Sequence, residues 1–146
     1  MLRLALYQPE IASNLGAAIR IAACFGAELH VIEPCGFPWK DRDIGRVALD
    51  YETKLVRHRD WKAFREAQPG RLILMTTKSE TPIDEVDLGE RDILLMGQES
   101  AGVPDWLHDG ADVRATIPLT TGARSLNVSV AAAIGLAEWS RQLRRR

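Results

Sequence analysis

The sequence predicts an α/β protein in which a mostly parallel sheet carries helices on both faces. Two observations lead to this fold class. Short apolar runs rich in Leu, Ile and Val alternate along the chain with longer stretches of helical character. Each apolar run is bounded by Pro, Gly or charged residues, as buried strands are. Strands alternating with helices favour parallel pairing, because each helix returns the chain to the start of the next strand.

The apolar runs are the predicted strands. Five of them are Leu2–Tyr7, Leu29–Glu33, Leu72–Thr76, Ile93–Met96 and Val113–Ile117. Lys54–His58 is a further strand candidate and is expected at an edge of the sheet. Parallel sheets bind ligands beyond the carboxyl ends of their strands, so the loops that follow these strands are where a site is expected.

The stretches between the strands are the predicted helices. They are Asn14–Phe25, Asp41–Leu49, Asp60–Ala67 and Ser125–Leu143. Ser13 or Asn14 is expected to cap the first helix, and Asp60 the third, because short polar side chains satisfy the free N–H groups at a helix start.

Length and composition predict one domain spanning residues 1–146, with ordinary globular values of 46% hydrophobic and 27% charged residues. The net charge of −1 gives no sign of a nucleic-acid partner by itself. Cys24 and Cys35 are the only cysteines, which argues against a disulfide scaffold. The N-terminal segment lacks the pattern of a signal peptide, and no uncharged run approaches the ~20 residues of a membrane span. We therefore expect a cytoplasmic protein without a membrane partner.

The helix Asn14–Phe25 contains a single charged residue, Arg20. Helical spacing turns Arg20 away from the bulky side chains and places it beside the small residues Gly16, Ala17 and Cys24. A guanidinium on such a face has room for a phosphate or carboxylate to approach. The alternative is a solvated arginine on the outer face of an amphipathic helix.

The segment Gly97–Pro104 directly follows a predicted strand. Gly97 allows a ligand to approach the backbone, and Glu99 is able to accept hydrogen bonds from a ribose or an arginine. The alternative is an ordinary connection between a strand and a turn.

The third segment runs from Ile117 to Ser129 and leads into the last predicted helix. No residue from Ser125 to Ala137 carries a charge, which indicates burial on more than one side and favours a second subunit as the cover. Ser125, Asn127 and Ser129 are candidate ligand contacts at the helix start, or else helix caps and buried hydroxyls.

Other signals are weak. The sequence contains no GxGxxG, P-loop, GxSxG or HExxH motif. The three histidines have no metal-ligand spacing, so no metal is expected.

Together these motifs resemble the SPOUT (trefoil-knotted) RNA methyltransferases. Seven stretches are similar to those of the small single-domain tRNA (cytidine/uridine-34) 2′-O-methyltransferases. They are LYQPEIASNLGAAIR, HVIEPCGFPW, the LDY at Leu49–Tyr51, MTTK, MGQESAGVP, IPL and RSLNVSVA. The resemblance covers essentially the whole chain. Gln98 departs from it, since many relatives have Pro at this position.

This resemblance implies a C-terminal trefoil knot, an obligate homodimer, S-adenosyl-L-methionine as methyl donor and the tRNA anticodon stem-loop as partner. It assigns the catalytic set to Asn14, Arg20, Glu99, Ser125 and Asn127. It assigns the cofactor-binding set to Met75, Thr76, Gly97, Ile117, Leu119 and Ser125. Arg20 of one subunit would face the cofactor of the other. Because a guanidinium keeps its proton, we expect Arg20 to orient the phosphate and the hydroxyl rather than to act as a base.

The implied activity is methylation of the ribose 2′-hydroxyl at wobble position 34. Within the same class, the alternatives are another tRNA position, such as 32, or ribosomal RNA. The alternative outside the class is a non-catalytic α/β module that binds RNA or a nucleotide. A catalytically inactive relative is expected to have lost Arg20, Glu99 or Asn127, and all three are present.

Overall fold

The structure is a computed structural model that describes residues 1–44 and 53–146. Its strands are β1 Arg3–Tyr7, β2 Glu28–Ile32, β3 Leu55–His58, β4 Leu72–Met75, β5 Ile93–Met96 and β6 Val113–Ala115. Its helices are α1 Ala12–Phe25, α2 Asp41–Ile44, α3 Trp61–Ala67, α4 Asp105–Gly110 and α5 Val128–Arg144, with a 3-10 turn at Ile83–Glu85.

The six strands form one sheet in the order β3-β2-β1-β5-β4-β6, and every pairing between neighbouring strands is parallel. The predicted strands are confirmed to within two residues at either end. The strand candidate at Lys54–His58 is confirmed as β3, and it lies at an edge as expected. Every residue of the interior strands β4 and β5 is buried, which explains why their sequences are uninterrupted apolar runs.

Helices cover both faces of the sheet, as the sequence predicts. On one face, α1 and α5 pack over a core that includes Leu15, Leu94 and Trp139. The indole N–H of Trp139 donates to the carbonyl of Gly89 over 3.0 Å. On the other face, α3 and α4 pack over a second core centred on Phe64. The helix α4, which has only six residues, is not predicted by any pattern in the sequence.

The start of α1 corrects one prediction. Neither Ser13 nor Asn14 caps this helix, because it begins two residues earlier, and the N-cap residue Ile11 has no side-chain cap bond. Asp60 does cap α3, and its carboxylate accepts the amide N–H of Ala63 at 2.8 Å.

The small-residue face of α1 is also more closely packed than expected. Arg20 is exposed and points away from the core, as predicted. Gly16, however, is buried, and a Cβ at this position would overlap the carbonyl oxygen of Ile44. The backbone of α2 therefore fills the space beside Gly16.

The last helix begins later than predicted. Asn127 is its N-cap residue, so Ser125 lies in the preceding loop rather than in the helix. One side of α5 is buried in the core, but Val130 and Ile134 on the other side are 47% and 37% exposed. The predicted helix Asp41–Leu49 is observed as far as Ile44, and its remaining residues, like the Leu49–Tyr51 motif, lie outside the described residues.

Candidate active site

A cavity of about 590 Å³ opens at the carboxyl ends of β4, β5 and β6. This volume is in the range of pockets that bind small molecules. Three loops surround it, and they follow these same strands. The residues that line it include Met75, Thr76, Gly97, Glu99, Ile117, Leu119, Ser125 and Asn127, together with Asn14 from α1.

The loop after β5 is a tight turn that forms one wall of the cavity. The backbone N–H of Gln98 donates to the carbonyl of Gly102 at 2.7 Å, and the N–H of Gly102 donates back at 3.0 Å. A Cβ on Gly97 would lie 2.7 Å from the Cα of Gly102, so only glycine fits at this position. The turn thus exposes backbone to the cavity where a side chain would otherwise stand.

The loop after β4 forms another part of the cavity wall. The N–H of Thr76 donates to the carbonyl of Ala115 at 2.9 Å, which joins this loop to the end of β6. The hydroxyl of Thr76 accepts the N–H of Lys78 at 3.1 Å. These bonds fix the backbone of the loop, and the side chain of Lys78 stands exposed at the rim of the cavity.

Asn127 joins the starts of α1 and α5. Its side-chain carbonyl accepts the N–H groups of Ser129 at 2.9 Å and Val130 at 3.4 Å, which caps α5. Its amide group donates to the side-chain carbonyl of Asn14 at 3.1 Å. One side chain therefore serves both as a helix cap and as a link between two segments of the cavity rim.

The carboxylate of Glu99 binds the backbone at the start of α1. Its carboxylate accepts the backbone N–H of Ile11 at 2.6 Å and that of Glu10 at 3.1 Å. These N–H groups lie at the start of α1 and have no acceptor within the helix. Glu99 therefore supplies the anionic group that α1 lacks in its own sequence. In turn, Ser100 holds Glu10, and its hydroxyl and N–H keep the pKa of that carboxyl below the usual value.

Arg20 is the predicted site residue that does not line the cavity of its own chain. Arg20 and Asn14 are six residues apart, which separates them by about 120° around the helix axis. The structure therefore brings together Asn14, Glu99, Ser125 and Asn127 and leaves Arg20 on a different, exposed face of α1.

The sequence did not single out His108 or Val103 as site residues, yet both line the cavity. His108 lies on the unpredicted helix α4, so no sequence pattern connected it with the site. Its Nε2 atom is buried and makes no hydrogen bond within residues 1–44 and 53–146.

Two further features of the described residues concern ligands and membranes. In this part of the chain, no three His, Cys, Asp or Glu side chains lie close enough together to hold a metal ion. None of its helices is long and apolar enough to cross a bilayer.

The fold and the site define a ligand-binding α/β protein with helices on both faces of a parallel sheet and a cavity at the carboxyl ends of its strands. More narrowly, this chain belongs to the SpoU rRNA Methylase family, whose pattern matches residues 1–137.

Individual proteins are similar to this chain over nearly all of its length. A tRNA (cytidine(34)-2′-O)-methyltransferase of Ancylobacter novellus is 47% identical, over 97% of this chain and 92% of the relative. A protein solved in work on the 2-OH methylation of C/U34 on tRNA superposes with a TM-score of 0.94 and 38% identity, over 100% of this chain and 98% of the other. An AdoMet-bound rRNA methyltransferase from Sinorhizobium meliloti superposes with a TM-score of 0.85 and 26% identity, over 97% of this chain and 56% of the other.

Proposed function

We propose that this protein transfers a methyl group from S-adenosyl-L-methionine to the ribose 2′-hydroxyl of nucleotide 34 in tRNA. One observation carries the proposal. Asn14 and Asn127, 113 residues apart in sequence, meet through a hydrogen bond at the rim of a single cavity that Glu99 and Ser125 also line. Two relatives that are 47% and 48% identical to this chain are named tRNA (cytidine(34)-2′-O)-methyltransferase.

The cavity fits an adenosyl amino acid in size and in chemistry. Apolar side chains, among them Met75, Ile117 and Leu119, offer a surface for an adenine ring. The turn at Gly97 offers backbone groups to the polar parts of the ligand, in a place that a Cβ would fill. When bound, the cofactor supplies a methyl group already activated by its positive sulfur.

The chain's own contribution is to position the target hydroxyl and to exclude water. Asn14, Ser125 and Asn127 stand at the rim, where they are able to hold a ribose by hydrogen bonds. Arg20 has a planar guanidinium that suits a phosphate, but it does not line the cavity of its own chain. We therefore assign Arg20 to the cavity of a second copy, where it holds the phosphate and the hydroxyl in line with the methyl group.

An exposed apolar surface supports the second copy. Ile11, Leu119 and Leu126 are 46%, 38% and 37% exposed, and all three line the cavity. Val130 and Ile134 continue this surface along α5 by steps of one helical turn. A homodimer would cover the surface and complete the site with the same contact.

Three finer points belong to the same proposal. The C-terminal segment carries the trefoil knot of the family, the partner RNA is the anticodon stem-loop, and the reaction takes place in the cytoplasm. The alternatives are methylation at tRNA position 32 or in ribosomal RNA, and a non-catalytic RNA-binding role.

The experiment uses purified protein, radiolabelled S-adenosyl-L-methionine and tRNA substrates that carry a single 2′-deoxy nucleotide. A tRNA with 2′-deoxy at position 34 is expected to accept no label, because it lacks the reacting oxygen. The matched tRNA with 2′-deoxy at position 32 should be methylated at the normal rate. Nucleoside mass spectrometry then identifies the product.

Each alternative gives a different result. If the tRNA with 2′-deoxy at position 32 accepts no label, the target is position 32 rather than position 34. If only ribosomal RNA accepts label, the substrate is ribosomal RNA rather than tRNA. Binding of RNA by the protein without any methyl transfer would favour the non-catalytic RNA-binding role.

A further inference from the structure

Two loops beside the cavity are joined by a set of hydrogen bonds that connects residues 8–11 with residues 98–100. We call this set the loop–loop network. The side-chain amide of Gln98 donates to the carbonyl of Gln8 at 3.1 Å. The carboxylate of Glu99 accepts the N–H groups of Glu10 and Ile11, and the carboxylate of Glu10 accepts the N–H of Ser100 at 2.9 Å and its hydroxyl at 2.7 Å.

The network is reciprocal, because each glutamate binds groups on the other's loop. Glu99 reaches from the cavity loop to the start of α1, and Glu10 reaches from the start of α1 back to the cavity loop. Hydrogen bonds to ionised acceptors are the stronger kind, and both carboxylates here accept at least two.

The backbone of residues 8–11 is constrained from other directions as well. Gln8 adopts a φ of 43°, in the left-handed region that non-glycine residues seldom occupy. Its N–H donates to the carbonyl of Ile32 at 2.9 Å. The N–H of Gly36 donates to the carbonyl of Pro9, and a Cβ at Gly36 would lie 3.0 Å from the Cα of Glu10. The conformation of this loop is therefore fixed, and so is the direction in which Glu10 reaches Ser100.

We propose that Glu10 is a positioning residue for methyl transfer, which acts through Ser100 to hold the start of α1 against the cavity loop. This inference rests on the proposed function. Asn14 lies four residues after Glu10, in the first turn of α1, and it lines the cavity, as Ser100 does. Loosening the network would let the groups that orient the ribose move relative to the cofactor loop, while each remains present. Since small misplacements in an active site cost large factors in rate, the loss is expected in kcat.

The same geometry defines what Glu99 does. Its carboxylate is engaged by two backbone N–H groups, so it acts by holding α1 in place rather than by accepting a proton from the substrate. The side-chain amide of Gln98 adds a further contact between the two loops through the carbonyl of Gln8.

The test first compares three single variants in the methylation assay, after wild-type turnover has been measured. Glu10→Ala removes both bonds to Ser100 and should lower kcat at least about tenfold. Cofactor affinity, measured by equilibrium dialysis, should change less than about threefold, because the cavity walls remain. Glu10→Gln keeps an acceptor oxygen and should restore kcat to within about threefold of wild type. Glu66→Ala, an exposed glutamate on α3, is the matched control and should keep the wild-type kcat.

A double variant tests whether Glu10 acts through Ser100. Ser100→Ala removes the hydroxyl bond alone and should lower kcat by a smaller factor than Glu10→Ala. Glu10→Ala combined with Ser100→Ala should be no slower than Glu10→Ala alone, because the two changes remove the same contact. If Glu10→Ala does not fold, the reduced kcat of Ser100→Ala carries the test.

Three results would overturn the inference: a wild-type kcat in Glu10→Ala, an equal loss in Glu10→Gln, or a loss of cofactor affinity as large as the loss of kcat. An inactive wild-type protein would instead contradict the proposed function, so the two failures are distinguishable.

Discussion

The side-chain amide of Asn127 donates to the side-chain carbonyl of Asn14 across 3.1 Å, and this contact joins the starts of α1 and α5. The same Asn127 side chain caps α5 through the N–H groups of Ser129 and Val130. Its stabilising role and its role at the cavity rim therefore depend on different atoms. Substitutions are able to separate them.

Asn127→Ala should lower the free energy of unfolding by about 1 kcal/mol, because the helix loses its cap. Asn127→Ser keeps a cap oxygen and should lose less than about 0.5 kcal/mol, but it has no amide to reach Asn14. Both variants should lose most methyl transfer. Urea denaturation and the methylation assay measure the two effects. Equal destabilisation by Ala and Ser would contradict the cap, and full activity of Asn127→Ser would contradict a role for the link to Asn14.

The sequence predicted the elements of the fold because burial leaves a local signature. The strands β4 and β5 are fully buried and read as continuous apolar runs. The predicted carboxyl ends of the strands then indicated where the cavity lies. The sequence predicts the start of α5 too early, because residues 125–127 are uncharged and continue the pattern of the helix, whereas Asn127 caps the helix from outside it.

Local sequence patterns could not predict the hydrogen-bond partner of Glu99. Its carboxylate binds the N–H of Ile11, 88 residues earlier in the chain, and this pairing exists only once the sheet has formed. The same holds for His108, which reaches the cavity from a helix of six residues that has no clear periodicity. Contacts between distant segments therefore account for most of what the sequence did not predict about the site.

Gly97→Ala should weaken cofactor binding at least about tenfold, because its Cβ would lie 2.7 Å from the backbone of Gly102 and force the cavity loop to move. Gly110→Ala is the matched control, since a Cβ there meets no atom within 4 Å. Calorimetric titration with S-adenosyl-L-homocysteine measures both affinities. Equal affinities for the two variants would argue against a cavity wall at Gly97.

Arg20→Ala should keep cofactor affinity and dimerisation while losing nearly all methyl transfer. In the proposed dimer, the cavity of one subunit is completed by Arg20 of the other. This arrangement leads to a sharper prediction for mixed dimers of one Arg20→Ala subunit and one Gly97→Ala subunit. Each mixed dimer would contain one site with both an intact cavity and an intact arginine, and should recover about half of the wild-type turnover. Co-expression with two affinity tags isolates the mixed dimer. An inactive mixed dimer would place Arg20 in the site of its own chain.

If the proposed dimer forms through the apolar surface of α5, Ile134→Lys should yield a monomer and abolish activity together, because it introduces a charge into that surface. Trp106→Lys is the control, since Trp106 is 56% exposed but lies on α4. Light scattering coupled to size exclusion gives the mass, and the methylation assay gives the activity. A fully active monomer would refute the shared site.

A buried histidine pair joins the edge strand β3 to β2. Nδ1 of His30 lies 2.9 Å from Nε2 of His58, and Nε2 of His30 lies 3.1 Å from the carboxylate of Glu28, which also accepts from Lys54. A carboxylate is an acceptor only, so His30 donates to Glu28 through Nε2 and accepts from His58 through Nδ1. The pair is able to share one added proton, but two imidazolium rings would face each other N–H to N–H.

The stability of the protein should therefore fall as the pH decreases below about 6.5. Burial lowers the pKa of His30 and of His58, and the hydrogen bond to Glu28 offsets only part of the effect on His30. The unfolded chain then binds more protons than the folded one between the unfolded pKa and the lower folded pKa, so stability is complete above that window and is lost within it. The slope is at most about 1.4 kcal/mol per pH unit for each histidine. Urea denaturation at pH 8, 7, 6 and 5 measures it. His58→Gln keeps a donor for His30 without a titrating ring and should reduce the slope between pH 6.5 and 5, whereas an unchanged slope in this variant would show that the pair is not its source.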